Sequence, residues 1–568
     1  MNNNPLLKRK IFLYITEFLS GIALMGVETA ANRLLAPYFS SSQVVWTLII
    51  GTFLIAMSIG NYVGGRLADK KNDVTLLYVL MLCAGAYICL IPFVGRFIIA
   101  GVTALFALFI NSGLIIISSL VVCLILFVPP LLILGMVTPS LIKFTMGQKA
   151  SGKIVGLLEA LNTIGSIIGT FIPTFISIPL VGTSLTFAIF GGLICLIAII
   201  YILTGIIHNF RNNRPQKIVD EEHIEENNEN KKTFVASIKR SIFVGALSFI
   251  SIFGIVLAGN SPFVFWGDKS VIYTDESEYN YLQVSEDDEA YYFSTNVLFG
   301  VQSMIKKDMS LTGMYYDYCL AAPYMANIDK KEDFKVLILG NGTGTYATLM
   351  KHYFPYNTDI VGVEIDQKII DLSSKYFMMP DTVKTVCDDG RNYINLHQEK
   401  YDLIMVDAFS SISTPFSMSS VEFFKGVKDH LVEDGVMVMN INMKSETKSS
   451  LATALSDTLC SQFKYRYKYS VPNGSGIEVF ASNNSDMYNN LERGITICEY
   501  SSLTHKLEMV NENSEVHIDT GIRLYDDNAD VEMRAIVSID SLINDELEYY
   551  RKIFKEKGLA GLIKELLG

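Results

Sequence analysis

Metal-ligand and disulfide spacings are missing from this chain. Its eight cysteines form no CxxC pair, and no histidine stands at ligand spacing from any of them. Cys83, Cys89, Cys123 and Cys195 sit inside apolar runs, where a thiol reads as a small hydrophobe, while Cys319, Cys387, Cys460 and Cys498 are scattered. The pattern argues against a zinc site and against a disulfide framework, predicts no metal, and is compatible with a reducing compartment. Positive charge is also short: 46 Lys and Arg face 58 Asp and Glu, for a net charge of -12. Neutralising phosphates needs a basic surface, so nucleic acid is not the expected partner. The opening MNNNPLLKRK is basic, yet no short apolar stretch with a small-residue cleavage site follows it. It reads as the cytoplasmic flank of a membrane helix, not as a cleaved signal.

What the chain does have is hydrophobicity, unevenly spread. At 568 residues it exceeds one hydrophobic core, and its 50% hydrophobic content is concentrated before residue 260, with the acidic excess after it. The mean hydropathy of +0.32 therefore blends two parts. A membrane span needs about 20 largely apolar residues. Candidates are 11–35, 43–63, 74–95, 115–140, 154–178, 183–207 and 241–259, with 97–112 as a short eighth helix or an interfacial segment. The expected fold class is an α-helical transmembrane domain of seven or eight spans, followed by an α/β Rossmann-like domain of methyltransferase type with a small N-terminal β-domain.

Polar residues inside the spans are informative. Glu17 and Glu28 are about three helical turns apart and share a face, with Arg33 near the same end. Ionisable groups at membrane depth face a cavity or one another; Glu28 and Arg33 as a packing pair, or a substrate or ion pathway, are both open readings. Gly64-Gly65-Arg66-Leu67-Ala68-Asp69-Lys70-Lys71 is a basic loop that resembles, in shortened form, the loop signature of major-facilitator transporters. Pro129-Pro130 and Gly135-Met136-Val137-Thr138-Pro139 predict a broken or kinked span. Gly165 and Gly169 predict close helix packing.

The domain plan reads 1–207 as membrane, 208–240 as a charged linker, 241–259 as a final span, 270–325 as a small β-domain and 330–568 as the Rossmann-like part. In the linker, the acidic run around Asp220 to Asn230 has almost no apolar content. Val271 to Val284 and Ala290 to Met304 carry strand-type residues around Ser285-Glu286-Asp287-Asp288-Glu289, predicting a hairpin, and Leu311 to Met325 predicts a helix.

Lys335-Val336-Leu337-Ile338-Leu339 is a buried parallel strand by pattern, and it runs into Gly340-Asn341-Gly342-Thr343-Gly344 before a helical segment. A glycine turn there lets the backbone approach a ligand, with helix N–H groups aimed at it. The next strand ends in Glu364, 20 residues after Gly344, where an acid can accept both ribose hydroxyls of an adenosine. Asp389 falls where a carboxylate can take the adenine amine, and Asp407 ends the strand Tyr401 to Val406. Turn capping is the plainer role for Asp389 and Asp407. Four strand ends thus point to one crevice.

The run GNGTGT, VEID, DDGR, YDLIMVDAF, VEFF, LVEDGV resembles the spermidine synthase (polyamine aminopropyltransferase) family, in the branch fused to a membrane domain, over roughly 270–530. Glu278 to Gln302 is similar to that family's N-terminal β-domain, Tyr315-Tyr316-Asp317 stands where the family has its amine-pocket Tyr-His-Glu, and Leu524 to Asp530 resembles the fused branch's Asp-Asp motif. The resemblance implies transfer of an aminopropyl group from decarboxylated S-adenosylmethionine to an amine, with no tightly bound cofactor. It places Gly340, Gly342, Thr343, Gly344, Glu364 and Asp389 at the donor, Asp407 at the attacking amine, and Gln302, Tyr315, Asp317 and Ser410 at the acceptor. Two departures stand out: Thr343 replaces the aspartate of the family's glycine loop, and Asp407-Ala408-Phe409-Ser410 replaces Asp-Ser-Ser-Asp, so a second amine-binding carboxylate is absent there.

Expected partners are a small amine, the lipid bilayer and a second copy through the soluble domain. An S-adenosylmethionine-dependent methyltransferase, and an amine transporter with a nucleoside-sensing domain, are the alternatives. With the amino terminus inside, seven spans fit the basic loops near Lys143–Lys153 and Lys231–Arg240 but put the enzyme outside. Eight keep it in the cytosol, where adenosylated donors are made; the cytosolic cell-membrane placement is the one expected.

Overall fold

The computed structural model describes residues 4–39, 42–70, 74–110, 113–146, 152–212, 270–295, 300–354, 356–409, 414–442, 450–472, 476–528 and 530–566. The chain divides into two compact units, one helical and one built around sheets.

In the helical unit, α1 (Lys10–Phe39), α2 (Gln43–Lys70) and α3 (Val74–Phe109) are long and apolar. The expected separation of 74–95 from 97–112 does not exist: α3 is one helix of 36 residues. Arg96, which interrupts the apolar pattern there, lies over the rings of Phe93 and Phe97 on its own helix, 5.0 and 5.1 Å from their centroids, so its charge needs no loop. The span 115–140 is broken where its prolines and Gly135 predict, into α4 (Leu114–Leu126), α5 (Val128–Gly135) and α6 (Val137–Met146). Pro129 and Pro130 sit in the first turn of α5, the position where a missing N–H is tolerated.

α7 (Gly152–Ile172) runs through a π-helical turn, Pro173–Ser177, into α8 (Ile178–Asn212), which Gly182 breaks with φ 79°. The expected spans 154–178 and 183–207 are the two sides of that break. Gly165 and Gly169 act in packing: a Cβ at either would lie 2.2 Å from a backbone oxygen of α1, Phe18 and Ile22 respectively. Five helical segments among the described residues are long and apolar enough to cross a membrane; the expected 241–259 lies outside the described residues.

The second unit begins with an antiparallel meander, β1 (Ser270–Glu276), β2 (Tyr281–Glu286), β3 (Ala290–Thr295) and β4 (Ser303–Lys306). The expected hairpin is thus a four-stranded sheet. Its centre is the turn after β2, where Asp287 Oδ1 accepts from the N–H groups of Glu289 and Ala290, both at 2.9 Å. Leu282, Val284, Phe293 and Ile305 pack on Ile369, Leu372 and Phe377 of the following domain. The single helix expected over Leu311 to Met325 is two short ones, Tyr315–Cys319 and Ala321–Met325.

The main sheet has the order β12-β10-β11-β9-β8-β5-β6-β7, comprising β5 (Phe334–Leu339), β6 (Thr358–Glu364), β7 (Lys384–Cys387), β8 (Tyr401–Val406), β9 (Leu431–Ile441), β10 (Tyr465–Ser470), β11 (Ile477–Ser482) and β12 (Glu515–Val516). β5 to β9 pair in parallel, and β10 to β12 are antiparallel. Helices cover both faces, so β5 is apolar throughout: Val336 and Ile338 enter one core, Leu337 and Leu339 the other. Each such side chain contributes about 1.5–3 kcal/mol on burial. Strand order reverses between β5 and β8, which opens a crevice beyond their carboxyl ends.

Candidate active site

The crevice is built on a steric requirement. Gly340 follows β5 with φ 85°, and a Cβ there would lie 2.6 Å from the Asp407 carbonyl oxygen and from the Ala408 Cα. Only glycine lets the β5 turn lie against the end of β8, where Asp407 N donates to Leu339 O at 2.9 Å. Gly342 N donates to Glu364 Oε2 at 2.8 Å, and Asp366 N to Glu364 Oε1 at 3.1 Å. Glu364 thereby ties the glycine turn to the end of β6, keeping a second lone pair on each oxygen for a diol. Burial pushes its carboxyl up to about 7 despite those two donors. Thr343, by contrast, is completely buried, its hydroxyl 3.4 Å from that of Thr345. Its side chain supports the turn from within. Gly344 caps the helix Thr345–Tyr353.

Asp389 caps the helix Gly390–Leu396, with Oδ1 accepting from Asn392 N at 2.9 Å. Its Oδ2 takes no hydrogen bond from the described residues. Arg391, in the same motif, is held by Asp526 (Nη2 to Oδ2, 2.7 Å) and by Ser417 O at 3.1 Å. The two acidic-motif segments of the sequence, around 389 and 526, therefore meet through an ion pair.

Asp407, at the end of β8, has both carboxylate oxygens engaged. Tyr315 Oη donates to its Oδ2, and Asn440 Nδ2 donates to its Oδ1 at 3.0 Å. Burial raises the carboxyl to about 7, with the Tyr315 and Asn440 bonds opposing that shift and the Glu364 charge adding to it. The phenol of Tyr315 is itself held well above its usual range by burial and by Asp407. Tyr316, its ring tilted 49° against that of Tyr315 with centroids 4.2 Å apart, accepts from Met304 N at 3.0 Å and so links the small sheet to the crevice.

Other predicted acceptor residues are placed differently. Asp317 is completely buried, with Oδ1 accepting from Thr312 N and Oγ1 and Oδ2 from Gly313 N at 2.6 Å. Its oxygens fix the loop that delivers Tyr315. Gln302 Oε1 accepts from Thr295 N at 3.0 Å, closing the β3–β4 connection. Ser410 lies outside the described residues. Asn440, which donates to Asp407, and Glu478, its register partner, are residues that the sequence reading passed over. Asn440 ends an apolar strand beside β8, and the strand-end rule that found Asp407 would have found it. Glu478 is the charged residue within the strand Ile477–Ser482. Among the described residues there is no cluster of side chains able to hold a metal.

A largely parallel sheet with a glycine turn and two buried carboxylates at its switch point is the frame of a Rossmann-like domain. Residues 321–487 match the model of the spermine/spermidine synthase domain. A probable polyamine aminopropyl transferase of Bifidobacterium longum is 41% identical over 323 residues, covering 53% of this chain and 70% of the relative. The chain belongs to the polyamine aminopropyltransferase family. It is also 29% identical over 182 residues to polyamine aminopropyltransferase 1 of Aquifex aeolicus, spanning 60% of that relative and 30% of this chain. Among solved structures, a probable spermidine synthase from Corynebacterium glutamicum aligns at 19% identity and TM-score 0.36, over 44% of this chain and 92% of that one.

Proposed function

We propose that this chain is a membrane-anchored aminopropyltransferase that moves an aminopropyl group from decarboxylated S-adenosylmethionine to an amine. The observation that carries the reading is the Tyr315–Asp407–Asn440 arrangement beside the glycine turn. In this reading Gly340, Gly342 and Gly344 make room for the nucleoside, Glu364 accepts from its ribose hydroxyls and the free Oδ2 of Asp389 accepts from the adenine amine. An acceptor ammonium on Asp407 gives up its proton to the carboxylate. The freed nitrogen lone pair attacks the carbon next to the sulfonium, the C–S bond breaks, and its electrons leave on sulfur as neutral methylthioadenosine. A carboxyl poised near 7 is suited to that proton transfer at neutral pH, and a shared pocket supplies proximity. Tyr315 orients the base, and Asp317 and Gln302 act one layer behind it.

The helical unit is read as the anchor. Leu54, Phe175 and Leu180 are 59%, 67% and 77% exposed on helices of membrane-spanning length, a surface suited to lipid. A cytosolic face for the second unit, where its donor is made, is the proposed topology; a reporter fused at Gly568 that reads as external would overturn it. For the chemistry, purified chain with donor and amine must release methylthioadenosine in step with an aminopropylated product. Release of S-adenosylhomocysteine from S-adenosylmethionine would favour the methyltransferase reading instead.

A further inference from the structure

Glu478 is completely buried in β11, and its register partner on β9 is Asn440. Directly opposed residues of an antiparallel pair send their side chains to the same face. Asn440 donates to Asp407, so Glu478 stands one residue removed from the proposed base. The helix Tyr315–Cys319 closes the group from the other side. Tyr315 and Cys319 lie one turn apart on one helical face; the first reaches Asp407, and the second donates through Sγ to Glu478 Oε2 at 3.1 Å.

The other oxygen, Oε1, is buried without a hydrogen-bond partner. Gly476 lies beside it: an added Cβ there would be 3.9 Å from Oε1 and 3.5 Å from Asn440 Oδ1. A thiol is a weak donor, and a buried carboxylate with one oxygen unsatisfied is costly. Two carboxylates enclosed by the same side chains also oppose each other's ionisation unless a cation lies with them. A neutral Glu478 would have only the Cys319 sulfur, a weak acceptor, for its proton and would still leave Oε1 unsatisfied.

We propose that Glu478 binds the second ammonium of a linear diamine acceptor whose first nitrogen is seated at Asp407. The assignment rests on the aminopropyl-transfer reading. It supplies, from β11, the carboxylate that the Asp407–Ser410 stretch lacks. No bond forms or breaks at Glu478; it selects a dication over a monoamine.

The test uses the full chain purified in detergent, as wild type, Glu478→Gln and Glu478→Asp. Rates are measured with decarboxylated S-adenosylmethionine and either 1,4-diaminobutane or n-butylamine. Binding of 1,4-diaminobutane is measured by calorimetry with methylthioadenosine present. Losing one charge-assisted contact should raise the diamine KM and Kd of Glu478→Gln by about 10-fold or more, with kcat within about 3-fold. The n-butylamine KM should not move, and Glu478→Asp should recover part of the loss. Unchanged diamine KM and Kd in Glu478→Gln, or an equal rise for both amines, overturns the assignment. Should Glu478→Gln fail to fold, the same comparison is made on Glu478→Asp. If the wild type turns over no amine, the aminopropyl reading falls, yet calorimetry still decides the site: diamine binding lost in the variant upholds it, and no binding to wild type overturns it.

Discussion

Asn440 Nδ2 donates to Asp407 Oδ1 at 3.0 Å across the ends of two adjacent parallel strands. With the Tyr315 hydroxyl on the other oxygen, this fixes both the position and the basicity of the carboxylate. The function of the site follows from what that carboxylate can do.

Replacing Asp407 with Asn keeps the shape and removes the base. Transfer should fall by about 10²- to 10⁴-fold in kcat, the range for a positioned general base. Methylthioadenosine binding, measured by calorimetry, should stay close to wild type.

The pH profile has a defined sign. Asp407 must be ionised to accept a proton, so kcat/KM should rise with pH and level off above about 7. Glu364 is raised to about 7 as well, so the acid limb reports a coupled pair. The Tyr315 bond lowers the Asp407 value; Tyr315→Phe should therefore shift the limb to higher pH, and an unshifted limb would show that the hydroxyl does not act on the base.

Glu364→Gln should separate donor from acceptor. Loss of a charge-assisted contact to the ribose predicts a donor KM about 10- to 100-fold higher. Initial rates over an amine titration should leave the amine KM nearly unchanged.

Stability carries its own signature. Burial raises the carboxyls of Asp407 and Glu364 to about 7, and raises that of Glu478 well above its usual range. The folded state thus holds protons the unfolded chain has already lost, and its stability falls as pH rises from about 4 toward 7. Glu478→Gln should therefore raise the melting temperature relative to wild type more at pH 8 than at pH 5.

Gly340→Ala tests the close approach of the β5 turn to β8. The left-handed φ alone costs on the order of 1–3 kcal/mol, before the contact with Asp407 and Ala408 is counted. A lower melting temperature together with weaker methylthioadenosine binding is expected.

The strand ends that form the crevice were legible from sequence because they follow backbone rules. A parallel strand, a glycine turn and an acid at the end of the next strand are adjacent along the chain, so Gly340, Glu364 and Asp407 could be placed without tertiary contacts. The acceptor side was not local. Asn440 lies on β9, the strand after β8, and meets Asp407 only through side chains, while Glu478 comes from β11, antiparallel to β9. In the helical unit, hydropathy found the apolar stretches but not their junctions. Arg96 hides its charge over two rings, so α3 continues where a break was expected.

The most direct measurement is product identity from wild type and Asp407→Asn, each supplied with decarboxylated S-adenosylmethionine and 1,4-diaminobutane and read by mass spectrometry. The account predicts methylthioadenosine and the aminopropylated diamine in equal amounts from the wild type, and near-complete loss of both in the variant. Wild-type protein that binds the donor but forms neither product, or Asp407→Asn that forms both at the wild-type rate, would contradict it.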